Sequence, residues 1–241
     1  MLKRFNHSGK KPTHLLIGAR KSATSWIWKQ LGDHPDVYAH PAKEIYYFNA
    51  KYKMGMDWYV EQFKTNRSVV FEATPDYFQE QYAKTIRRDL PEAKLIVCLR
   101  NPIERAYSHW KFGCYVGNCH LDFMSAWNND WMSIRTRGLY HRHLKAFHRL
   151  EVLLYDDLQD DPQSFVENLY QFLGVKKHRS RFFAKKWIPG KVSQNSRDDE
   201  YRLISEKKMP DCEYRIVADY YKDTIELTEG VLERKLNWLN I

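Results

Sequence analysis

Short apolar runs recur along this chain, and most are followed by a stretch with helical spacing. The clearest are His14–Gly18, Ser68–Glu72, Lys94–Leu99 and Glu151–Tyr155. They are continuous rather than alternating, the pattern of strands buried on both faces in a parallel sheet. Ser25–Leu31 continues as a helix from the loop after the first run. Asn101 with Pro102 marks another helix start, a cap followed by a first-position proline. Asp161 and Pro162 repeat that signal; Phe165, Val166, Leu169, Phe172 and Leu173 then form one face, and Gly174 suits a left-handed helix end. The last 30 residues read as one or two further helices. This alternation predicts a three-layer α/β domain with a central parallel sheet. No repeat or Pro/Gly/Ser-rich linker interrupts it, so residues 1–241 read as a single domain, with 1–12 a flexible N-terminal segment.

Composition narrows the partner. A formal charge of +9 over 241 residues favours something anionic: nucleic acid, an acidic membrane surface, a phosphorylated cofactor or an acidic glycan. The basic residues are spread along the chain, with no block that reads as a tail. Eight Trp and sixteen Tyr exceed the needs of a core, which places some of them at a ligand. Cys98, Cys114, Cys119 and Cys212 have neither metal-ligand spacing nor the density of a disulfide framework. Cys98 lies in an apolar run as a buried thiol, and Cys114 and Cys119 could pair under oxidising conditions. With no N-terminal signal region and no run of about 18 apolar residues, the expectation is a soluble cytoplasmic protein. The luminal domain of a membrane-anchored enzyme, trimmed of its anchor, would read the same way.

The segment Leu15–Trp26 carries the chemistry. A buried strand runs into a tight turn of small and hydroxylated residues, Gly18-Ala19-Arg20-Lys21-Ser22-Ala23, and a helix begins at once with Thr24, Ser25 and Trp26. Such a turn aims backbone N–H groups and a helix dipole at one spot, an anion cradle. Lys21 adds a full charge; Ser22, Thr24 and Ser25 add hydroxyls. A Walker A loop ends in Lys followed by Ser or Thr, whereas here the lysine comes early. A second buried strand ends in Arg100 and is followed by Asn101-Pro102-Ile103-Glu104-Arg105-Ala106-Tyr107-Ser108. Arg100, at a strand's carboxyl end, points toward the crevice where open α/β sheets bind ligands. With Ser108 it could hold a second phosphate.

The spacing Gly-x-x-Lys-small-small-Thr-Ser resembles the 5′-phosphosulfate loop of sulfotransferases that use 3′-phosphoadenosine 5′-phosphosulfate (PAPS), and the Arg100–Ser108 segment resembles their 3′-phosphate motif. Two phosphate sites at neighbouring strand ends suit a nucleotide phosphorylated at two places, as PAPS is and ATP is not. Gly32–Val37, Lys43–Phe48, Phe71–Phe78, Gly138–Tyr140, Tyr155–Leu158 and Phe172–Val175 follow the family's downstream order, closest to the heparan-sulfate type and its bacterial relatives. The resemblance implies a P-loop-like sulfotransferase fold, with PAPS as donor and adenosine 3′,5′-bisphosphate as product. It implies a cofactor site of Arg20, Lys21, Ser22, Ala23, Thr24, Ser25, Trp26, Arg100 and Ser108. Lys191 and Arg197, in a polar loop, match in position a loop that covers the cofactor.

Lys21 is expected to stabilise charge on the leaving phosphate. Glu44 is the expected general base, matching the assigned Glu of heparan-sulfate-type enzymes; it sits where a partly apolar pocket would raise its pKa. His40 and His109 are the alternatives. Tyr46, Tyr47, Phe48, Trp58, Tyr59 and Tyr77 flank Glu44 and, with Asp76, are expected to meet the acceptor, a small molecule or glycan. No nucleic-acid or membrane partner is expected, and no metal, because no carboxylate follows the loop in a metal-binding arrangement. Ala73 departs from many heparan-sulfate-type relatives, which carry a lysine there; either the acceptor class differs or Arg20 or Lys43 supplies that charge. Ala23 replaces a frequent glycine and is expected to keep a negative φ. Two other classes also fit part of the pattern: a kinase with an altered phosphate loop, and a non-enzymatic polyanion-binding module.

Overall fold

Strand β1 (His14–Gly18) is the middle of a five-stranded sheet in the computed structural model, which describes residues 9–180 and 206–239. Its neighbours are β3 (Val69–Ala73) and β4 (Lys94–Leu99); β2 (Val37–Ala39) and β5 (Leu150–Leu154) form the edges, in the order β2-β3-β1-β4-β5. Every pairing is parallel. The continuous apolar runs are explained by burial: all five residues of β1 and of β3, and all of β4 except Lys94, are buried. Leu16, Ile17, Phe71, Ile96 and Val97 have no exposed surface, each contributing about 1.5–3 kcal/mol of apolar burial. Four of the strands follow the expected runs to within a residue. The fifth, β2, is three residues long.

The chain divides into two compact units, one built from residues 9–99 and 146–180 and the other from 100–145 and 206–239. The first holds the sheet with helices α1 (Thr24–Gly32), α2 (Gly55–Glu61) and α3 (Glu80–Asp89), and, beyond the three helices that the second unit inserts, α7 (Tyr155–Asp160) and α8 (Pro162–Leu173). Helix α8 starts as its sequence dictates: the Asp161 carboxylate accepts from the N–H groups of Gln163 and Ser164 at 3.1 and 3.0 Å. Its stop is Gly174, at φ 73°, where a left-handed residue lets the last carbonyls be satisfied.

The second unit is helical: α4 (Pro102–Tyr115), α5 (Phe123–Asn128), α6 (Tyr140–Ala146) and α9 (Asp211–Leu232). Asn101 caps α4 by accepting from the Ile103 N–H at 2.9 Å, with Pro102 at the first position. Arg105 of α4 is wholly buried and donates to the Ile134 carbonyl. Tyr221 of α9 donates to the neighbouring Arg135 carbonyl at 2.8 Å. These two bonds join α4 and α9 to one turn.

Candidate active site

The carboxyl end of β1 is crowded by design. Phe78 N–H donates to the Ile17 carbonyl at 2.8 Å and Ala19 N–H to the Cys98 carbonyl at 2.9 Å, so the loop leaves β1 with backbone on both sides. At Gly18 a side chain would lie 2.5 Å from Phe78 Cβ and 3.3 Å from the Pro75 carbonyl oxygen. Only glycine fits there.

Beyond Gly18 the loop winds through two left-handed residues, Lys21 (φ 71°) and Ala23 (φ 58°, ψ 12°). The expectation that Ala23 keeps a negative φ is therefore wrong. The loop has only five residues between strand and helix, and a left-handed step there costs about 1–2 kcal/mol. No side chain caps the first turn of α1. Ser22 is fully buried, and its hydroxyl has no hydrogen-bond partner among the described residues. An uncapped helix start, an unused hydroxyl and Lys21 on one five-residue loop are what an anionic group would satisfy. Thr24 is buried and Ser25 exposed; Trp26 sits edge-on to Phe165 at 6.2 Å.

Arg20 is committed differently from expectation. Its guanidinium grips Asp76 through Nε and an Nη at 2.8 and 2.7 Å, with both side chains largely buried. This bidentate pair ties the β1 loop to the turn after β3. Arg20, expected on the cofactor, and Asp76, expected on the acceptor, are thus joined to each other.

Glu44 N–H donates to the Ala73 carbonyl at 2.9 Å, which sets the Lys43–Tyr46 turn beside the carboxyl end of β3. Lys43 Nζ lies 2.6 Å from one Glu44 oxygen, and the Tyr46 hydroxyl donates to the other. Glu44 is a quarter exposed. Lys43 thus brings a cation to this strand end, while Ala73 itself is buried.

The aromatic run divides. Tyr46 borders Glu44, but Tyr47, Phe48 and Tyr77 are 1, 5 and 0% exposed. Tyr47 stacks on Tyr59 at 4.2 Å, and Phe48 meets Tyr77 edge-on at 5.2 Å. These three are core side chains rather than an acceptor platform; an apolar aromatic run satisfies either role, and here packing takes them. At their centre stands Glu72, a residue the sequence reading passed over. Thr74 and Tyr77 donate to one of its oxygens at 2.8 and 2.9 Å, and Tyr59 donates to the other. Burial pushes its carboxyl pKa up against those three hydrogen bonds.

His40 is bonded through Nδ1 to the Ala42 carbonyl at 2.8 Å and packs edge-on to Phe63. In the second unit His109 is buried, its ring 5.5 Å from that of Trp131. Arg100 follows directly on β4 and pairs with Glu104 at 2.8 Å; its carbonyl accepts from the Tyr140 hydroxyl at 2.9 Å. Ser108 is half-buried on α4. The loop Gly18–Ala23 belongs to the first unit, Arg100 and Ser108 to the second. Lys191 and Arg197 lie outside the described residues. Among the described residues, no group of three or more His, Cys, Asp or Glu could hold a metal ion. None of the described helices is long and apolar enough to cross a membrane.

A solved structure described as a sulfotransferase from Alicyclobacillus acidocaldarius superposes with a TM-score of 0.77 at 21% identity, covering 96% of this chain and 100% of that one. Mouse sulfotransferase SULT7A1, solved in complex with PAP, gives 0.61 at 13% identity, covering 91% and 86%. These likenesses establish the α/β fold. Among curated proteins, human bifunctional heparan sulfate N-deacetylase/N-sulfotransferase 1 is 27% identical over 257 residues, covering 90% of this chain and 29% of that protein. Mouse heparan sulfate glucosamine 3-O-sulfotransferase 6 is 29% identical over 183 residues, covering 69% and 53%. Membrane-associated sulfotransferase kil1 of Dictyostelium discoideum is 37% identical over 107 residues, covering 42% and 23%. The chain thus spans from about a quarter to about half of the length of these curated relatives. Residues 11–215 match the sulfotransferase domain as a family, and with that match over most of its length the chain belongs to the sulfotransferase family.

Proposed function

We propose that this chain acts as a single sulfotransferase domain, moving a sulfuryl group from PAPS to a hydroxyl or amine of a glycan or small-molecule acceptor. The observation that carries the reading is the loop between β1 and α1: Lys21, the unused Ser22 hydroxyl and an uncapped helix start within five residues of a glycine that admits no side chain. A mouse neighbour of the same fold was solved with PAP, and two curated relatives are named for heparan sulfate; both facts support the donor and the acceptor class. Bound there, PAPS supplies the activated sulfuryl group. Lys21 and the α1 N–H groups hold the 5′-phosphate, and the ammonium of Lys21 offsets the charge that grows on the departing oxygen. Arg100 and Ser108 take the 3′-phosphate. Glu44, oriented by Tyr46 and Lys43, accepts the proton of the acceptor. Asp76 holds Arg20, and through it the shape of the loop.

Calorimetry with adenosine 3′,5′-bisphosphate and with ATP, each with magnesium or EDTA, tests the donor. Metal-independent binding of the bisphosphate is expected; tight magnesium–ATP binding without it overturns the reading. In a labelled-PAPS transfer assay, Lys21→Ala is expected to lower kcat about 10²–10³-fold with the fold intact. Glu44→Gln is expected to lower kcat by about 10² or more, with bisphosphate affinity unchanged. Unaltered turnover in either variant removes that residue from its role.

A further inference from the structure

Helix α4 ends in a Schellman motif. The Asn118 N–H donates to the Gly113 carbonyl at 2.9 Å and the Gly117 N–H to the Cys114 carbonyl at 3.1 Å, with Gly117 left-handed at φ 75°. Such a reversal turns the chain back onto the last helical turn. Cys119 follows that path: its N–H also donates to the Gly113 carbonyl, at 3.1 Å, and its thiol is hydrogen-bonded to that of Cys114. The backbone itself brings the two cysteines together.

Of residues 116–122, all are exposed except Cys119, which is 4% exposed. The connection from α4 to α5 therefore has one buried anchor, and that anchor is half of a thiol pair. Cys114 is half-buried, so solvent reaches the pair from one side. We infer that Cys114 and Cys119 are a redox modification site, a dithiol that closes to a disulfide by exchange with a small disulfide and ties the last turn of α4 to the chain entering α5. Two cysteines serving only as small apolar fillers would both be buried, as Cys98 is. A tie at this point removes chain entropy from the unfolded state, on a segment whose own apolar burial is slight.

The exchange proceeds in two steps. Cys114, the more exposed thiol, loses its proton and attacks one sulfur of the small disulfide; that bond breaks, and the first small thiol leaves and takes up a proton. Cys119 then loses its proton, attacks Cys114 Sγ and expels the second small thiol, which is protonated in turn. The two cysteines give up two electrons and two protons, and the small disulfide is reduced to two thiols. Burial first, and Cys119 second, push the Cys114 thiol up to about 11. Thiolate is therefore scarce at neutral pH, and mildly alkaline buffer speeds closure.

The full chain, equilibrated there in glutathione buffers of graded oxidised-to-reduced ratio, then quenched with acid and mapped by peptide mass, tests this. A link between Cys114 and Cys119 is expected, rather than one to Cys98 or Cys212. Because folding holds the two thiols in contact, the equilibrium constant of the link against glutathione should be at least about tenfold higher in the folded chain than in urea. The same thermodynamic cycle requires the oxidised chain to unfold at a higher urea concentration than the reduced one. That difference should vanish in Cys119→Ser and in Cys114→Ser, whose altered side chain is half-buried, and persist in Cys212→Ser, at an exposed position. Cysteines 114 and 119 that stay reduced at the most oxidising ratio, a link no more favoured in the folded chain than in urea, or an unfolding difference that survives the loss of Cys114 each overturns the proposal.

Discussion

Glu72 places a carboxyl group inside the aromatic core, where the hydroxyls of Tyr59, Thr74 and Tyr77 donate to it. Truncating it orphans three buried donors at once, a larger effect than losing one bond. Glu72→Ala is expected to cost at least about 3 kcal/mol of unfolding free energy in urea titrations. Glu72→Gln, which keeps an acceptor, should cost clearly less. If the two variants unfold alike, the hydroxyls do not depend on this carbonyl position. The same residue shows what sequence reading could not reach. Phe71–Phe78 stands out as a stretch, yet nothing in its letters separates a buried structural acid from a functional one. Likewise Arg20 and Asp76 are 56 positions apart, and no local pattern announces their pairing.

The elements were far more legible than the side-chain assignments. β1 and β4 follow from continuous apolar runs, and α4 and α8 from a cap plus proline, because burial on both faces and orphan N–H groups act locally. β2 escaped notice because Val37–Ala39 is too short to show a period. Tyr47, Phe48 and Tyr77 misled because a large ring suits a core and a ligand equally. Strand β1 also carries a testable consequence in His14, which burial first and Lys94 second hold down to a pKa of about 4. Its ring lies edge-on to Phe172 at 6.1 Å, and Nδ1 shares a hydrogen bond with the Thr13 hydroxyl at 2.9 Å. A histidine with a lowered folded pKa stabilises the fold above the unfolded value of 6.5 and loses that contribution as pH falls toward 4. Unfolding free energy should therefore decline by up to about 3 kcal/mol across that window. In His14→Gln the slope over the same window should flatten, as read from urea midpoints at successive pH values.

For the molecule as a whole, the excess of nine positive charges acts beyond any single contact. It should draw a doubly phosphorylated nucleotide toward the protein. Raising salt until the screening length falls from about 10 Å to about 3 Å should slow bisphosphate association in stopped flow at least about tenfold. A rate indifferent to salt would assign capture to short-range contacts alone. The wholly parallel sheet has a further consequence. Its strands all point one way, so the loop after β1 and the turn after β3 leave from the same edge, while the turns that enter the strands, such as Pro91–Ala93 before β4, gather at the opposite edge. Glu92, whose side chain is 90% exposed, is accordingly a place to graft a fluorescent or affinity peptide without silencing the enzyme. The same graft between Ala19 and Ala23 would erase it.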